Sequence, residues 1–273
     1  MSGLSLLTLN IGSPSAERAH RQLAWLATRH EDVLVLTETR TSDGCKHLAD
    51  AFRCAGYAVL YPKPEPAEYG VMVVSKVPVQ VDPIGKTLSY LPNRVTGVMI
   101  STQMGLIRVL GAYVPTRDAT AERTERKRRW LSQFSAALST PGLTDAGAQT
   151  VVLGDLNVIE PDHEPPHPSF RWFEYDFYRC LTDKHGLVDA YRHLNPDRVE
   201  HSWFGRTGDG FRYDHAHCTK ELAEELVGCE YVHEPRTIRL TDHSGLSVQF
   251  SCGVGTRLDT CDPFEAATPP TLF

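Results

Sequence analysis

The run Val151-Val152-Leu153-Gly154-Asp155-Leu156-Asn157 sets the tightest constraint on what this chain can fold into. Two β-branched residues and a leucine, ended by glycine, fit a short buried strand. Asp155 and Asn157 follow at i, i+2. In extended backbone they leave one face at the strand's carboxyl end. A buried strand that delivers a carboxylate and a carboxamide to its open end points to a hydrolytic site.

The same placement recurs along the chain. Asn10 closes an apolar segment at 4–9, and Glu38 closes Val33-Leu34-Val35-Leu36-Thr37. Tyr113 comes late in the segment 106–114. Asp242-His243-Ser244 follows Arg239-Leu240-Thr241 and precedes the last strand-like segment. Any one of these is a strand end like many others. Five together, bringing acid, amide, phenol and imidazole, point to one catalytic cleft.

The rest of the pattern is α/β. Strands are expected at 5–8, 32–37, 57–61, 69–75, 96–102, 106–114, 151–153, 200–204, 211–218 and 246–252. Ser13-Pro14 reads as an N-cap with proline at the first helical position, leading into the stripe Ala19, Leu23, Leu26 and Ala27. Further helices are expected over 120–138 and 170–185, with a His/Pro-rich loop at 160–168 between strand and helix. No repeat or long linker divides the chain. One domain over 1–253 is expected, with a loose tail at 254–273.

At 273 residues and 41% hydrophobic, the chain can bury a core of that size. No apolar run approaches the roughly 18 residues of a membrane helix, and residues 1–3 lead straight into a strand-like segment. The seven cysteines are odd in number and contain no CxxC pair, which excludes a disulfide framework and a zinc ribbon. A reducing, cytoplasmic setting without membrane contact follows as the expectation. The net charge of −6 does not advertise nucleic-acid binding, though a local patch or a metal ion can offset it.

A phosphodiester is anionic, so its hydrolysis needs the developing charge neutralised. Magnesium suits this role, because it takes hard oxygen ligands, often only one or two protein carboxylates, and Mn²⁺ can stand in for it. Glu38 is the natural primary ligand, with Asn10 beside it. His163 and His167 lack a third ligand and read as a solvated loop. Asp242 and His243 are adjacent and point apart, so His243 needs another carboxylate to orient it. Asp214 is the candidate, because alternation puts Asp214, Ala216 and Cys218 on one face and His215 and His217 on the other. Arg117 and Arg40 are candidate phosphate contacts, while the basic residues 126–129 go round a helix and are partly solvated.

Taken in order, Leu9-Asn10, Leu36-Thr37-Glu38-Thr39, Tyr113-Val114-Pro115, Gly154-Asp155-Leu156-Asn157, Arg212-Tyr213-Asp214 and Thr241-Asp242-His243-Ser244 resemble the endonuclease/exonuclease/phosphatase superfamily that includes deoxyribonuclease I. The segment 186–196 followed by His201-Ser202-Trp203-Phe204 is most similar to exonuclease III-type apurinic/apyrimidinic endonucleases. The resemblance implies a four-layered α/β-sandwich, two packed mixed β-sheets flanked by helices. It also implies roles. Glu38, Asn10 and Asp242 would sit at the metal, Asp155 would deprotonate the attacking water and Asn157 would fix its geometry. Asp214 and His243 would act on the scissile phosphate, with Tyr113 nearby. Trp203, Phe211 and Tyr213 would wall a pocket for a flipped-out abasic sugar; for Tyr213, ordinary core packing is an equal reading.

The chain departs from the family pattern at three points. Gly12 stands where an acidic or amide residue is frequent, so a second metal ligand from that loop is missing. Ser244-Gly245 follows Asp-His where residue-Pro is usual, and His215 follows Asp214 where an apolar residue is common. The leading expectation is a monomeric, magnesium-dependent phosphodiesterase acting on DNA, duplex DNA first, as abasic-site endonuclease, 3′-5′ exonuclease or both. The alternatives are a hydrolase of a small phosphoester or of RNA with the same catalytic set, and a non-catalytic binding protein. The last is disfavoured because every central position carries a competent residue.

Overall fold

The computed structural model describes residues 3–140, 149–164 and 167–267. Along the chain the strands are β1 (Gly3–Asn10), β2 (Val33–Thr39), β3 (Ala58–Leu60), β4 (Gly70–Ser75), β5 (Gln80–Asp82), β6 (Val95–Thr102) and β7 (Gly105–Tyr113). They continue with β8 (Gln149–Asp155), β9 (Leu187–Asp189), β10 (Trp203–Phe204), β11 (Gly210–Phe211), β12 (Asp214–Thr219), β13 (Leu226–Val232) and β14 (Gly245–Gly253). The long helices are α1 (Ala16–Ala27), α2 (Asp43–Cys54), α3 (Ala121–Leu138) and α4 (Trp172–Asp183).

Two six-stranded sheets form, in the orders β13-β14-β1-β2-β4-β3 and β5-β6-β7-β8-β12-β9. Both are mixed. β1 and β2 run parallel, as do β7 and β8, while the neighbours β14 and β12 run against them. Alternation along each strand explains the layering. Leu4, Leu6, Val33 and Val35 meet Ile107, Val109, Val151 and Leu153 between the sheets. The alternate residues Leu7, Leu9, Leu34 and Leu36 face α1 and α2, and Leu110, Ala112 and Val152 face α3 and α4. Strands covered on both faces must be apolar on both faces, which is why they read as continuous runs. The four-layered α/β-sandwich expected from the sequence is the observed fold.

Several local expectations need correction. Ser15, not Ser13, caps α1, its Oγ accepting from Arg18 N–H, while Ser13 has a left-handed φ of 44° and donates its N–H to Glu38 O. Proline 14 therefore precedes the cap. α4 is shorter than the stretch 170–185. The strand expected at 200–204 pairs only over Trp203–Phe204, and the one at 211–218 is interrupted. Arg212 leaves the ladder to enter a buried ion network, and Ser202 Oγ accepts the N–H groups of Tyr213 and Asp214 in its place. α2, β5 and β13 lie where no element was expected.

The tail is not loose as far as it is described. Leu258 N–H bonds Lys76 O at 2.8 Å, Cys261 N–H bonds Ala55 O at 3.0 Å, and Arg257 pairs with Asp32 at 2.7 Å. The short helix Pro263–Ala267 then lays Phe264 and Ala267 on the α1–α2 core. Its Thr-Pro-Pro-Thr stretch, within 268–273, lies outside the described residues. All seven cysteines are free, and among the described residues no helix is long and apolar enough to cross a membrane.

Candidate active site

Register brings the polar strand ends together. Tyr113 at the end of β7 and Asp214 at the start of β12 flank Asp155 at the end of β8, while Asn10 ends β1 beside Thr37 of β2. Gly154 is required at its position. Its φ is +146°, and a Cβ there would lie 2.0 Å from Ala112 O of the neighbouring strand. Gly154→Ala is therefore expected to cost about 3–5 kcal/mol, from overpacking against backbone plus a strained φ. A urea midpoint close to that of the parent protein would refute this account.

The strand stops at Asp155, so Asn157 does not share an extended face with it. Asn157 sits at φ 48°, donates its N–H to Asp155 Oδ1 at 3.0 Å and gives its Nδ2 to Val114 O at 2.9 Å. Asn10 Nδ2 donates to the other Asp155 oxygen at 2.9 Å, and Asn10 Oδ1 accepts Gly12 N–H. Both oxygens of Asp155 are thus oriented by a fixed donor while each keeps accepting capacity.

Glu38 is aimed by a bulge. The β2–β4 register shifts between Leu36 and Thr39, and Glu38 takes a left-handed φ of 56° there. A bulge at the end of a strand re-aims a side chain, here at the cost of a strained conformer for a non-glycine residue. Tyr113 donates its hydroxyl to Glu38 Oε1 at 2.5 Å. Burial, Glu38 and Asp155 raise the Tyr113 phenol well above its usual range, so it remains a donor. Asp242 is exposed beside buried His243, and its Oδ2 accepts Trp203 Nε1 at 2.9 Å.

His243 Nδ1 lies 2.8 Å from Asp214 Oδ2, and its Nε2 lies 4.0 Å from Asp155 Oδ2. Burial opposes a charge on the ring. The Asp214 carboxylate, with Asp155 and Asp242 behind it, outweighs burial and holds the imidazole up at about 10. Asp155 moves up too, to about 7, chiefly by burial and despite His243, with Asp214 and Glu38 adding repulsion. Arg212, two residues before Asp214, is engaged elsewhere, with Glu160 and Asp189.

These groups open into a cavity of about 780 Å³ lined by Glu38, Asp155, Asn157, Asp242 and His243. Its aromatic wall is continuous. Tyr213 and Phe211 stack at 5.2 Å with planes 5° apart, and Trp203 leans on both. His163 and His167 are not a solvated loop: His163 stacks on Phe211 at 5.5 Å and His167 meets its edge at 5.0 Å. Arg117 lines the cavity but is held by Glu174 at 2.8 Å. Arg40 does not line it; its guanidinium stacks on Tyr69 at 4.1 Å, behind Tyr113.

Two groups that carry this wall gave no sequence signal. Buried Lys127 pairs with buried Glu174 and donates to Asn157 O, linking α3, α4 and the catalytic loop. The 126–129 run proves mixed: Arg126 pairs with Glu68 and Arg128 with Glu125, while Arg129 lies over Tyr90.

The donor set fits a hard divalent cation. Glu38 and Asp242 each have one oxygen bonded, and among the described residues no hydrogen bond reaches their other oxygens. Asp155, Asp214 and His243 also bring potential ligand atoms within 4.8 Å of one another. There, however, the Asp214–His243 bond keeps a proton on the imidazole, which an ion would have to displace. Glu38 with Asp242 is the better-suited donor pair.

The sequence model of the Endonuclease/Exonuclease/phosphatase family matches residues 7–243. The chain belongs to that family. Membership makes it a hydrolytic enzyme. Recombination repair protein 1 of Drosophila melanogaster is 26% identical over 169 residues, 57% of this chain. The chain spans about a quarter of that relative's length, 24%. Among solved structures, an AP endonuclease from Archaeoglobus fulgidus superposes with a TM-score of 0.75 at 24% identity, covering 90% of this chain and 99% of its own. The 3′ phosphatase NExo from Neisseria, bound to a product DNA hairpin, gives 0.76 at 24% identity, with 90% and 99% covered. The 3′-5′ exonuclease NExo from Neisseria meningitidis gives 0.74 at 24% identity, with 91% and 100% covered. These three likenesses are of fold.

Proposed function

We propose that this family member is a magnesium-dependent phosphodiesterase acting on DNA, as an abasic-site endonuclease, a 3′-5′ exonuclease or both. One observation carries the reading: an oriented carboxylate, a charged imidazole and two half-free carboxylates face one cavity with an aromatic wall. The activities named for the structural neighbours, on abasic sites and on 3′ ends, accord with it.

Asp155 takes the proton of a water attacking phosphorus in line with the leaving oxygen, and Asn10 and Asn157 hold its carboxylate in place. His243, kept charged by Asp214, donates Nε2–H to a phosphoryl oxygen as negative charge builds there. Tyr113 steadies Glu38. Glu38, Asn10 and Asp242 would hold the cation, whose bound charge would neutralise part of the charge developing on the phosphate. An abasic sugar packs on Trp203, Phe211 and Tyr213, whose faces need no hydrogen-bond partner from it.

The pH dependence follows from two protonation states. The active form needs Asp155 deprotonated and His243 protonated. Activity therefore rises through an acid limb set by Asp155, at about 7, and falls through an alkaline limb set by His243, at about 10. Asp214→Asn removes the charge that holds His243 up, so the alkaline limb is expected to move down by about one unit or more. A kcat/KM profile whose alkaline limb is unmoved in that variant would remove Asp214 from the mechanism.

A second reading, a small phosphoester or RNA as substrate, is favoured by the pairing of both Arg117 and Lys127 with the one carboxylate of Glu174, which leaves a net charge of only about +1 there. That pairing leaves little free positive charge on the cavity wall for a duplex. One assay separates the readings: magnesium-supplemented protein offered plain duplex DNA, duplex with an abasic analogue, single-stranded RNA and a phosphomonoester. Preference for the abasic duplex is expected. Turnover of the monoester or RNA alone overturns the DNA reading, and equal cutting of both duplexes removes the pocket assignment.

A further inference from the structure

A second cavity of about 670 Å³ shares Glu38 and Asp242 with the first and is otherwise lined by Gly12, Arg18, Arg236 and Arg239, with Phe204 at its side. We propose that it is a second phosphate subsite, taking the backbone phosphate next to the scissile one. The proposal rests on the nuclease reading above.

Charge is the first argument. The buried guanidiniums of Arg108 and Arg212 have carboxylate partners, Asp82 and Asp189. Among the described residues, no ion pair is made by Arg18, Arg236 or Arg239. Arg18 spends one NH₂ group on Gly12 O, and its Nε is buried without a partner. Arg236 bonds only the neutral Ser244 Oγ and the His233 ring, and lies over Phe204 at 4.5 Å. Arg239 is exposed. Three cations thus face two carboxylates in one concavity, and those carboxylates are the ones suited to a divalent ion. With the ion bound, the concavity is strongly positive and lacks an anion. In a chain of net charge −6 that concentration is local and specific.

The backbone argues the same way. Gly12 stands where the resemblance leads one to expect an acid. Its φ is +60°, and a Cβ there would come 3.5 Å from Arg18 NH₂. The space for an acidic side chain is thus bordered by a guanidinium, which inverts the sign of the site. Arg239 is held at a left-handed φ of 59°, a strained conformer for a non-glycine residue. The loop that carries it is fixed on both sides: Leu240 N–H bonds Pro235 O at 2.8 Å, and Arg21 bonds Ile238 O at 3.0 Å. An exposed guanidinium with no ion-pair partner among the described residues, carried on a backbone fixed in this way, is suited to a phosphate.

The test uses oligonucleotides carrying one neutral methylphosphonate linkage on one or the other side of the scissile phosphate. For the parent protein, KM should rise about tenfold with the neutral linkage on one side only. Arg239→Gln should raise KM on the unmodified strand similarly, with kcat within about twofold and the slope of log KM against log salt shallower by about 0.7–0.9. The neutral linkage should then add nothing, and Arg239→Lys should recover most of the loss. Indifference of the parent to both neutral linkages, or a full tenfold penalty persisting in Arg239→Gln, overturns the proposal.

Inorganic phosphate titrated with magnesium and followed by ³¹P NMR tests the subsite apart from any nuclease activity. Two binding events are expected, one lost in His243→Asn and the other in Arg239→Gln or Arg18→Gln. Phosphate binding that ignores both arginine variants overturns the subsite even if DNA is cut. Absence of DNA cleavage with the arginine-dependent event intact overturns the nuclease reading instead.

Discussion

Asp155→Asn is expected to lower kcat on a phosphodiester by about 10³-fold or more while changing stability by no more than about 1 kcal/mol, the relieved repulsion offsetting one lost hydrogen bond. The two halves of this expectation have one cause. Asp155 is buried with Asp214 and Glu38 close enough to raise its pKa, so its ionised form is disfavoured by its surroundings. An amide of the same shape relieves that repulsion, but its single oxygen can accept from only one of Asn10 and Asn157, and it cannot take a proton from water. Steady-state kinetics and thermal unfolding of the same preparation check both. Retained turnover would remove Asp155 as the base. Lost turnover with a large drop in Tm would mean that the carboxylate is structural.

The largest stability effect is expected away from the chemistry, at Arg212. Its guanidinium is buried, bonded to Asp189 at 2.5 Å, to Glu160 at 3.1 Å and to the Tyr178 hydroxyl at 3.1 Å, and Arg192 closes the network on Glu160. Arg212→Met removes one cation from between two buried carboxylates, which costs about 3–5 kcal/mol and lowers Tm on the order of 10 °C. The loss should depend on pH in a defined direction. Burial opposes ionisation of both carboxylates, but Arg192 and Arg212 outweigh it at Glu160, held down to about 2, and Arg212 with His215 and His217 outweighs it at Asp189, held well below its usual range. Depressed carboxylates contribute stability above their ordinary pKa and lose it as pH falls through the folded value. The gap between parent and variant should therefore be full at neutral pH and close in acid. Because Arg212 lies between Phe211 and Tyr213, the variant should also raise KM more than it lowers kcat. A Tm within about 3 °C of the parent would contradict the account.

What the sequence disclosed and what it withheld follow from range. Strand ends were legible because burial on two faces writes an uninterrupted apolar run, and a polar residue that stops such a run stands out, as at Asn10, Glu38 and Asp155. The pairing of His243 with Asp214 was reachable through alternation in β12, which is extended from Asp214 onward although the expected strand is interrupted before it. Alternation failed at Asn157, where the chain turns into a left-handed conformer; asparagine is one of the few residue types that favour it, a signal that the apolar run before it masked. Arg40 and Arg117 read as phosphate contacts because a free cation and a paired one look alike in sequence. Glu174 and Tyr69, which engage them, are distant in the chain. The imidazoles of 163 and 167 looked solvated for a similar reason, since the ring they cover, Phe211, is more than 40 positions away. The Arg212 network, drawn from positions 160, 189, 192 and 212, is tertiary and leaves no periodic trace.

The six central side chains divide evenly between the sheets. Asn10 and Glu38 belong to the sheet of β1 and β2, with His243 in the bend leading into β14 of that sheet, and Tyr113, Asp155 and Asp214 belong to that of β7, β8 and β12. Every decisive contact, Asn10 to Asp155, Tyr113 to Glu38 and His243 to Asp214, therefore crosses the seam between them. Neither half of the sandwich holds a working fragment of the site. A collapsed state that kept both sheets but let them slide would retain its circular dichroism and lose all catalysis. On the proposed assignment, turnover is expected to report sheet docking, and a partly assembled chain is expected to show no hydrolysis.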